Sequence, residues 1–201
     1  MIQTIKDLKY YLEQDRKALN APDLSIIIRL KQLIFPEQIW KYERILRKLE
    51  FYSNVFRKNS FNKFVFAIPF WVYKIKFRRQ SVKLGFSIPI NVCGPGLSIA
   101  HYGTIIINSK AKIGRNFRIH AGVNIGASAG KNCAPVIGDN VYVGPGSVLF
   151  GDICIASNTT IGANSTVNKS VVQEHTMVAG NPATIIKQDY PNWLQFNSTQ
   201  I

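Results

Sequence analysis

Residues 107–126 read INSKAKIGRNFRIHAGVNIG, and residues 136–167 read VIGDNVYVGPGSVLFGDICIASNTTIGANSTV. An aliphatic residue falls on every sixth position: Ile107, Ile113, Ile119, Ile125, Ile137, Val143, Leu149, Ile155, Ile161 and Val167. Only Lys131 breaks this frame. Small residues often follow the aliphatic one (Gly114, Gly126, Gly138, Gly144, Ala156, Gly162), and Ala111, Val123, Val141, Ser147, Thr159 and Ser165 recur four places after it. A short self-similar period marks a solenoid, in which one repeat cannot bury its apolar residue and stacked repeats can. Each hexad supplies one flat β face and a tight corner, and three hexads complete one coil. Constant spacing predicts inward columns 18 positions apart: Ile107, Ile125, Val143 and Ile161; Ile119, Ile137 and Ile155; and Ile113, Leu149 and Val167. Gly and Asn suit the corners because they tolerate the backbone of a sharp turn. An antiparallel sandwich would alternate by two with irregular turns, and that pattern is absent here.

Residues Ala127 to Val136 (ASAGKNCAPV) depart from the frame and are expected to leave the solenoid as a loop. Loops on a rigid scaffold are where function concentrates. Ahead of the repeats the period is helical. Ile5, Leu8, Tyr11 and Leu12 begin it, and Pro22 and Pro36 punctuate it. From Pro36 to Phe56, one face carries Ile39, Trp40, Tyr42, Ile45, Leu46, Leu49 and Tyr52; the other carries Lys41, Arg44, Arg47 and Lys48. Pro36 suits a first helical turn, with Glu37 near the positive dipole end. A third amphipathic stretch, Phe61 to Arg79, ends in Lys74, Lys76, Arg78 and Arg79. The expected division is an α-helical region over 1–88, a mainly β left-handed parallel β-helix over 89–188, and a tail over 189–201.

The net charge is +14, and residues 1–90 hold 18 Lys and Arg against 7 Asp and Glu. No nucleic-acid motif accompanies this balance, so a nucleic-acid partner is not expected. A solvated helical surface, or peripheral contact with anionic membrane, accounts for it. The apolar run Phe64–Tyr73 is about half of what a spanning helix requires. The charged start lacks the apolar core of a secretory signal, which leaves a cytoplasmic location as the expectation. Cys93, Cys133 and Cys154 are odd in number and lack metal-ligand spacing, as expected of reduced thiols with no metal.

Three segments carry a resemblance: GPGLSIAHYGTIIINSKAKIGRNFRIHAGVNIG (Gly94–Gly126), PVIGDNVYVGPGSVLFG (Pro135–Gly151) and AGNPATIIK (Ala179–Lys187). Together they resemble the hexapeptide-repeat acyltransferases and, within them, the serine acetyltransferases. The resemblance implies acetyl-CoA as donor, direct transfer to a hydroxyl, no metal, and a homotrimer with clefts between adjacent solenoids. A hydroxyl attacking a thioester needs a general base, and histidine suits neutral pH. The chain offers His101, His120 and His175. His101, in AHYG, matches the catalytic histidine of the serine acetyltransferases. It sits on a frame position due to be buried, so the frame is expected to slip near Gly103. His120 is a candidate for acceptor binding or a surface histidine, and His175 is expected in solvent. The resemblance points to Gly144, Gly162 and Ala163 for close approach of pantetheine. It also points to Lys169 and Lys187, otherwise solvated lysines, for the CoA phosphates.

Two departures bear on the acceptor. Ala100 stands where serine acetyltransferases place an aspartate before the histidine, and Ala134 where they place a second histidine. A site built for a charged amino acid loses heavily when its pairing groups go. The expected acceptor is therefore a sugar of a surface polysaccharide precursor, with serine as the alternative. A metal-binding helix of the gamma carbonic anhydrase type would need three converging histidines, which this spacing disfavours. A scaffold that has lost its chemistry is a further reading, against which the retained His101 argues.

Overall fold

The computed structural model describes residues 1–22 and 37–198; Pro36 lies outside them. Helices α1 (Ile5–Ala18), α2 (Gln38–Phe56) and α3 (Ser60–Leu84) precede the repeats. Thr4 and Asp7 form a reciprocal capping box on α1. The Glu37 carboxylate caps α2 by accepting from the backbone N–H groups of Ile39 and Trp40. Gly85 ends α3 at φ 77, a left-handed conformation that costs glycine least.

Short strands then wind as a left-handed parallel β-helix. One sheet runs β1 (Phe86–Ser87), β3 (Ile105–Ile107), β6 (Asn124–Gly126), β9 (Val148–Phe150), β12 (Thr166–Val167). A second runs β4 (Lys112–Ile113), β7 (Val136–Ile137), β10 (Cys154–Ile155). The third holds β2 (Ser98–Ile99), β5 (Arg118–Ile119), β8 (Tyr142–Val143), β11 (Thr160–Ile161) and β13 (Met177–Gly180), with β14 (Ala183–Lys187) antiparallel at its edge. Strand β1 belongs to the solenoid, so the helical region ends at Leu84, a few residues before the expected boundary. The tail folds back. Helix α4 (Trp193–Ser198) begins with a buried Trp193, whose indole N–H donates to the Asn116 carbonyl at 3.0 Å.

The hexad residues are buried as the period predicts, but the columns are regrouped. Ile113 stacks on Ile137, Ile119 on Val143, and Ile125 on Leu149, each 24 positions on. Segment 127–135 is a loop inserted within one coil, and the coil still completes its three faces around it. The expected columns held only where the loop does not intervene, as for Ile107 with Ile125 and Val143 with Ile161. Four asparagines hold left-handed corners (Asn116, Asn140, Asn158 and Asn164). Three of them form a ladder, Asn116 donating to Asn140 and Asn140 to Asn158, each at 2.9 Å. The ladder satisfies side-chain amides along one edge of the solenoid.

Arg47, assigned above to the solvated face of its helix, is fully buried. Helix α2 is covered on more than one side, by α1, α3 and the first coil, so no single apolar stripe describes it. The guanidinium donates to both Asp15 oxygens (2.7 and 3.2 Å), to Glu50 at 3.0 Å, and to the carbonyls of Cys93 and Gly94 at 2.9 and 2.6 Å. Asp15 also accepts from the N–H groups of Gly96 and Leu97, and Glu50 from that of Asn91. One buried ionic cluster thus joins two helices to the start of the solenoid.

Candidate active site

The first coil carries two extra residues relative to the repeat, since Ile99 stacks on Ile119, 20 positions on. Ile99 takes the inward position, and His101 lands exposed in the turn after β2, as the expected frame slip requires. The coil offset therefore aligns Ala100 with His120, where a strict 18-residue coil would have set His101 against Ile119. His120 follows β5 and is half-buried, with its ring centroid 5.5 Å from that of His101 and 4.9 Å from that of Tyr142 on β8.

His120 is held neutral. Its burial, then the charge of Arg118 and the nearby His101, depress its pKa to about 4. Its Nε2 is buried with no hydrogen-bond partner among the described residues. Arg118 donates to the Ser98 hydroxyl at 2.9 Å and lies 5.4 Å from the Trp193 ring centroid. Burial raises the Tyr142 pKa, against the pull of Arg118. Arg118 and Tyr142 escaped the sequence reading, though each immediately precedes an inward residue and so must face outward beside the histidines. A second support was also missed. Glu43 of α2 is fully buried, and one carboxylate oxygen accepts from the Ile99 N–H at 3.2 Å, two residues from His101. Its other oxygen is buried without a hydrogen-bond partner among the described residues. Burial, reinforced by Asp15, raises the Glu43 pKa well above the carboxylate range.

Gly144 and Gly162 continue the sheet beyond His120. A Cβ on Gly144 would lie 2.7 Å from the Ala163 nitrogen, and one on Gly162 would lie 2.9 Å from the Ala179 Cβ. Coil stacking alone demands glycine at both. Ala163 is exposed, as is Lys169 just after β12. Lys187 lies exposed on β14, its ammonium 5.5 Å from the Tyr190 ring centroid. Lys169 follows β12 of one sheet, whereas Lys187 lies on β14 at the edge of the sheet that carries β5. His175 is exposed, as expected, while Ala134 is buried and Ala100 half-buried. The three cysteines are free thiols, and burial pushes that of Cys93 up to about 12.

Residues 134–169 match the bacterial transferase hexapeptide (six repeats) family. Serine acetyltransferases from Staphylococcus epidermidis and Staphylococcus aureus are each 42% identical over 99 residues, covering 48% of this chain and 46% of the relative. The chain thus spans about half the length of the curated relatives it matches. Across nearly the whole chain the fold is that of solved serine acetyltransferases. The Neisseria gonorrhoeae structure superposes with TM-score 0.67 at 21% identity over 98% of this chain and 73% of that one. The soybean apoenzyme gives TM-score 0.65 at 20% identity over 90% and 69%.

Proposed function

From a serine acetyltransferase-like hexapeptide-repeat chain, we propose an acetyl-CoA-dependent O-acetyltransferase with His101 as general base. The observation that carries this reading is the pairing of an exposed His101 with a neutral, half-buried His120 at the turn of a rigid coil. The acceptor hydroxyl gives its proton to the His101 imidazole as its oxygen attacks the thioester carbonyl. Collapse of the tetrahedral adduct breaks the carbon–sulfur bond, and the imidazolium returns the proton to the CoA sulfur. His120 contributes by position. Its unsatisfied Nε2 supports a hydrogen bond to the acceptor, or to a group from a neighbouring subunit. Gly144, Gly162 and Ala163 offer a low ridge for pantetheine, and Lys169 and Lys187 supply cations toward the CoA phosphates. In this reading the enzyme is a homotrimer, each cleft needs two chains, and the reaction takes place in the cytoplasm.

The acceptor proposed is a sugar hydroxyl of a surface polysaccharide precursor. Ala100 and Ala134 remove polar groups on which recognition of a charged amino acid would depend, and desolvating such a substrate without partners is costly. Serine is the second reading, favoured by the names of the relatives. Release of free CoA from acetyl-CoA, measured with L-serine and with a panel of nucleotide- and lipid-linked sugars, separates them. Turnover on sugars with little on serine supports the proposal. Efficient turnover on serine alone overturns the acceptor assignment, and no release of CoA with any acceptor would favour a scaffold without chemistry.

A further inference from the structure

Helix α3 is apolar on both sides. Its inner side packs on α2 through Phe70, Tyr73 and Phe77. Its outer side presents Phe61, Phe64, Val65, Ile68, Trp71, Val72 and Ile75 to solvent, with Phe64 86% and Ile68 78% exposed. Their spacing of three and four residues puts them on one stripe about 21 Å long, four helical turns. Scattered surface hydrophobics need no explanation, but a continuous stripe of large side chains marks a contact surface.

Charge identifies what covers it. Helix α3 carries six Lys and Arg and no Asp or Glu. Lys74 and Arg78 flank the stripe on the Trp71 side and Lys76 on the Val72 side, with the Lys74 ammonium 4.4 Å from the Trp71 ring centroid. Beside it, Lys41, Lys48, Lys76 and Arg79 line a cleft between α2 and α3. A second copy meeting this face with its own would oppose cations to cations. Most carboxylates among the described residues are already buried, paired or capping a helix. Of its eleven Asp and Glu, Asp15, Glu43 and Glu50 are buried, and Asp139 is engaged by Arg115. Among the described residues no helix is long and apolar enough to cross a membrane. An apolar stripe rimmed by cations and aromatic rings fits the interface of an anionic bilayer, lying flat with its side chains among the acyl chains.

We propose that α3 docks the protein on an anionic lipid surface. This inference stands apart from the acetyl-transfer reading, and the test keeps the two separate. The full chain is floated with vesicles of phosphatidylcholine alone and of phosphatidylcholine with phosphatidylglycerol, at low and high salt. Flotation is expected only with the anionic vesicles, weakening with salt. F64S/I68S should abolish it. K74Q/R78Q should weaken the partition coefficient about fivefold per cation removed, with apolar insertion untouched. All these side chains are exposed, so helix content and melting temperature should match the unsubstituted chain, and CoA release on a water-soluble acceptor should be unchanged. Should F64S/I68S unfold, K74Q/R78Q alone still decides the matter. Equal flotation with neutral vesicles, or flotation indifferent to both variants, overturns the proposal. So does an absence of flotation combined with a smaller sedimenting species for F64S/I68S, which would assign the stripe to a second copy of the chain.

Discussion

Replacing Arg47 with Met tests how the helical region is fastened to the solenoid. Arg47, Asp15 and Glu50 are almost wholly excluded from water, with side-chain exposures of 0%, 0% and 2%. Met fills much of the same volume but removes five hydrogen bonds at once. Asp15 would keep the N–H groups of Gly96 and Leu97, and Glu50 that of Asn91. Neither would retain a cation. Removing one partner of a buried pair costs about 3–5 kcal/mol. The Cys93 and Gly94 carbonyls lose their donor as well, at about 1 kcal/mol or more each unless water enters. A loss of roughly 5 kcal/mol is a large share of the 5–15 kcal/mol typical of a folded domain. The helices should therefore loosen from the first coil well before the repeats unfold. Urea titration followed by helical circular dichroism and tryptophan fluorescence reads this directly, because Trp40 and Trp71 sit on α2 and α3, whereas Trp193 of α4 is docked on the solenoid through Asn116. A triple variant, D15N/R47M/E50Q, should recover much of the loss, because it removes the unpaired charges with the cation. A destabilisation below about 1 kcal/mol in R47M would show that this cluster does not hold the two parts together.

Val143→Asp would bury an unpaired carboxylate between Ile119 and Ile161 and should cost several kcal/mol; a soluble variant melting at the original temperature contradicts the stacking. Glu43→Gln keeps an acceptor for the Ile99 N–H and removes a carboxyl whose pKa is raised in the folded state. Folded Glu43 binds its proton more tightly than unfolded Glu43, so its ionisation erodes stability as pH climbs above the ordinary carboxylate range. The gain in melting temperature of the Gln variant should be near zero in acid and grow toward neutral pH, and a pH-independent difference would refute it. His120 titrates near 4 when folded against about 6.5 when unfolded, so the stability it contributes is lost as pH falls through that window. His120 imidazole resonances that move through a midpoint near 6.5 in the folded protein would contradict its depressed pKa.

The periodic core was legible because each coil repeats one physical problem, the burial of an aliphatic residue against its equivalents. The loop was legible as a break, although Val136, expected to be part of it, opens β7. The loop's effect on the columns was not, because a spacing rule cannot tell an insertion inside a coil from a missing hexad. The slip near Gly103 that brings His101 to the surface was legible from its place on an apolar frame position, but the number of extra residues behind it was not. Arg47 and Glu43 were misread or missed for another reason. A helical wheel assumes one buried face, whereas α2 is enclosed by neighbours whose positions only the fold supplies. Arg118 and Tyr142 lay within reach of the repeat logic, since outward residues on stacked strands gather around whatever catalytic group the coil presents.

The central claim rests on His101, and single-site kinetics on the best acceptor tests it most directly. His101→Ala should lower kcat for CoA release about 10²–10⁴-fold while leaving acetyl-CoA affinity and assembly nearly unchanged, because the imidazole handles the acceptor proton alone. His120→Ala should chiefly raise the acceptor KM, with a smaller change in turnover. Wild-type turnover in the His101 variant, or inactivity confined to the His120 variant, would contradict the account.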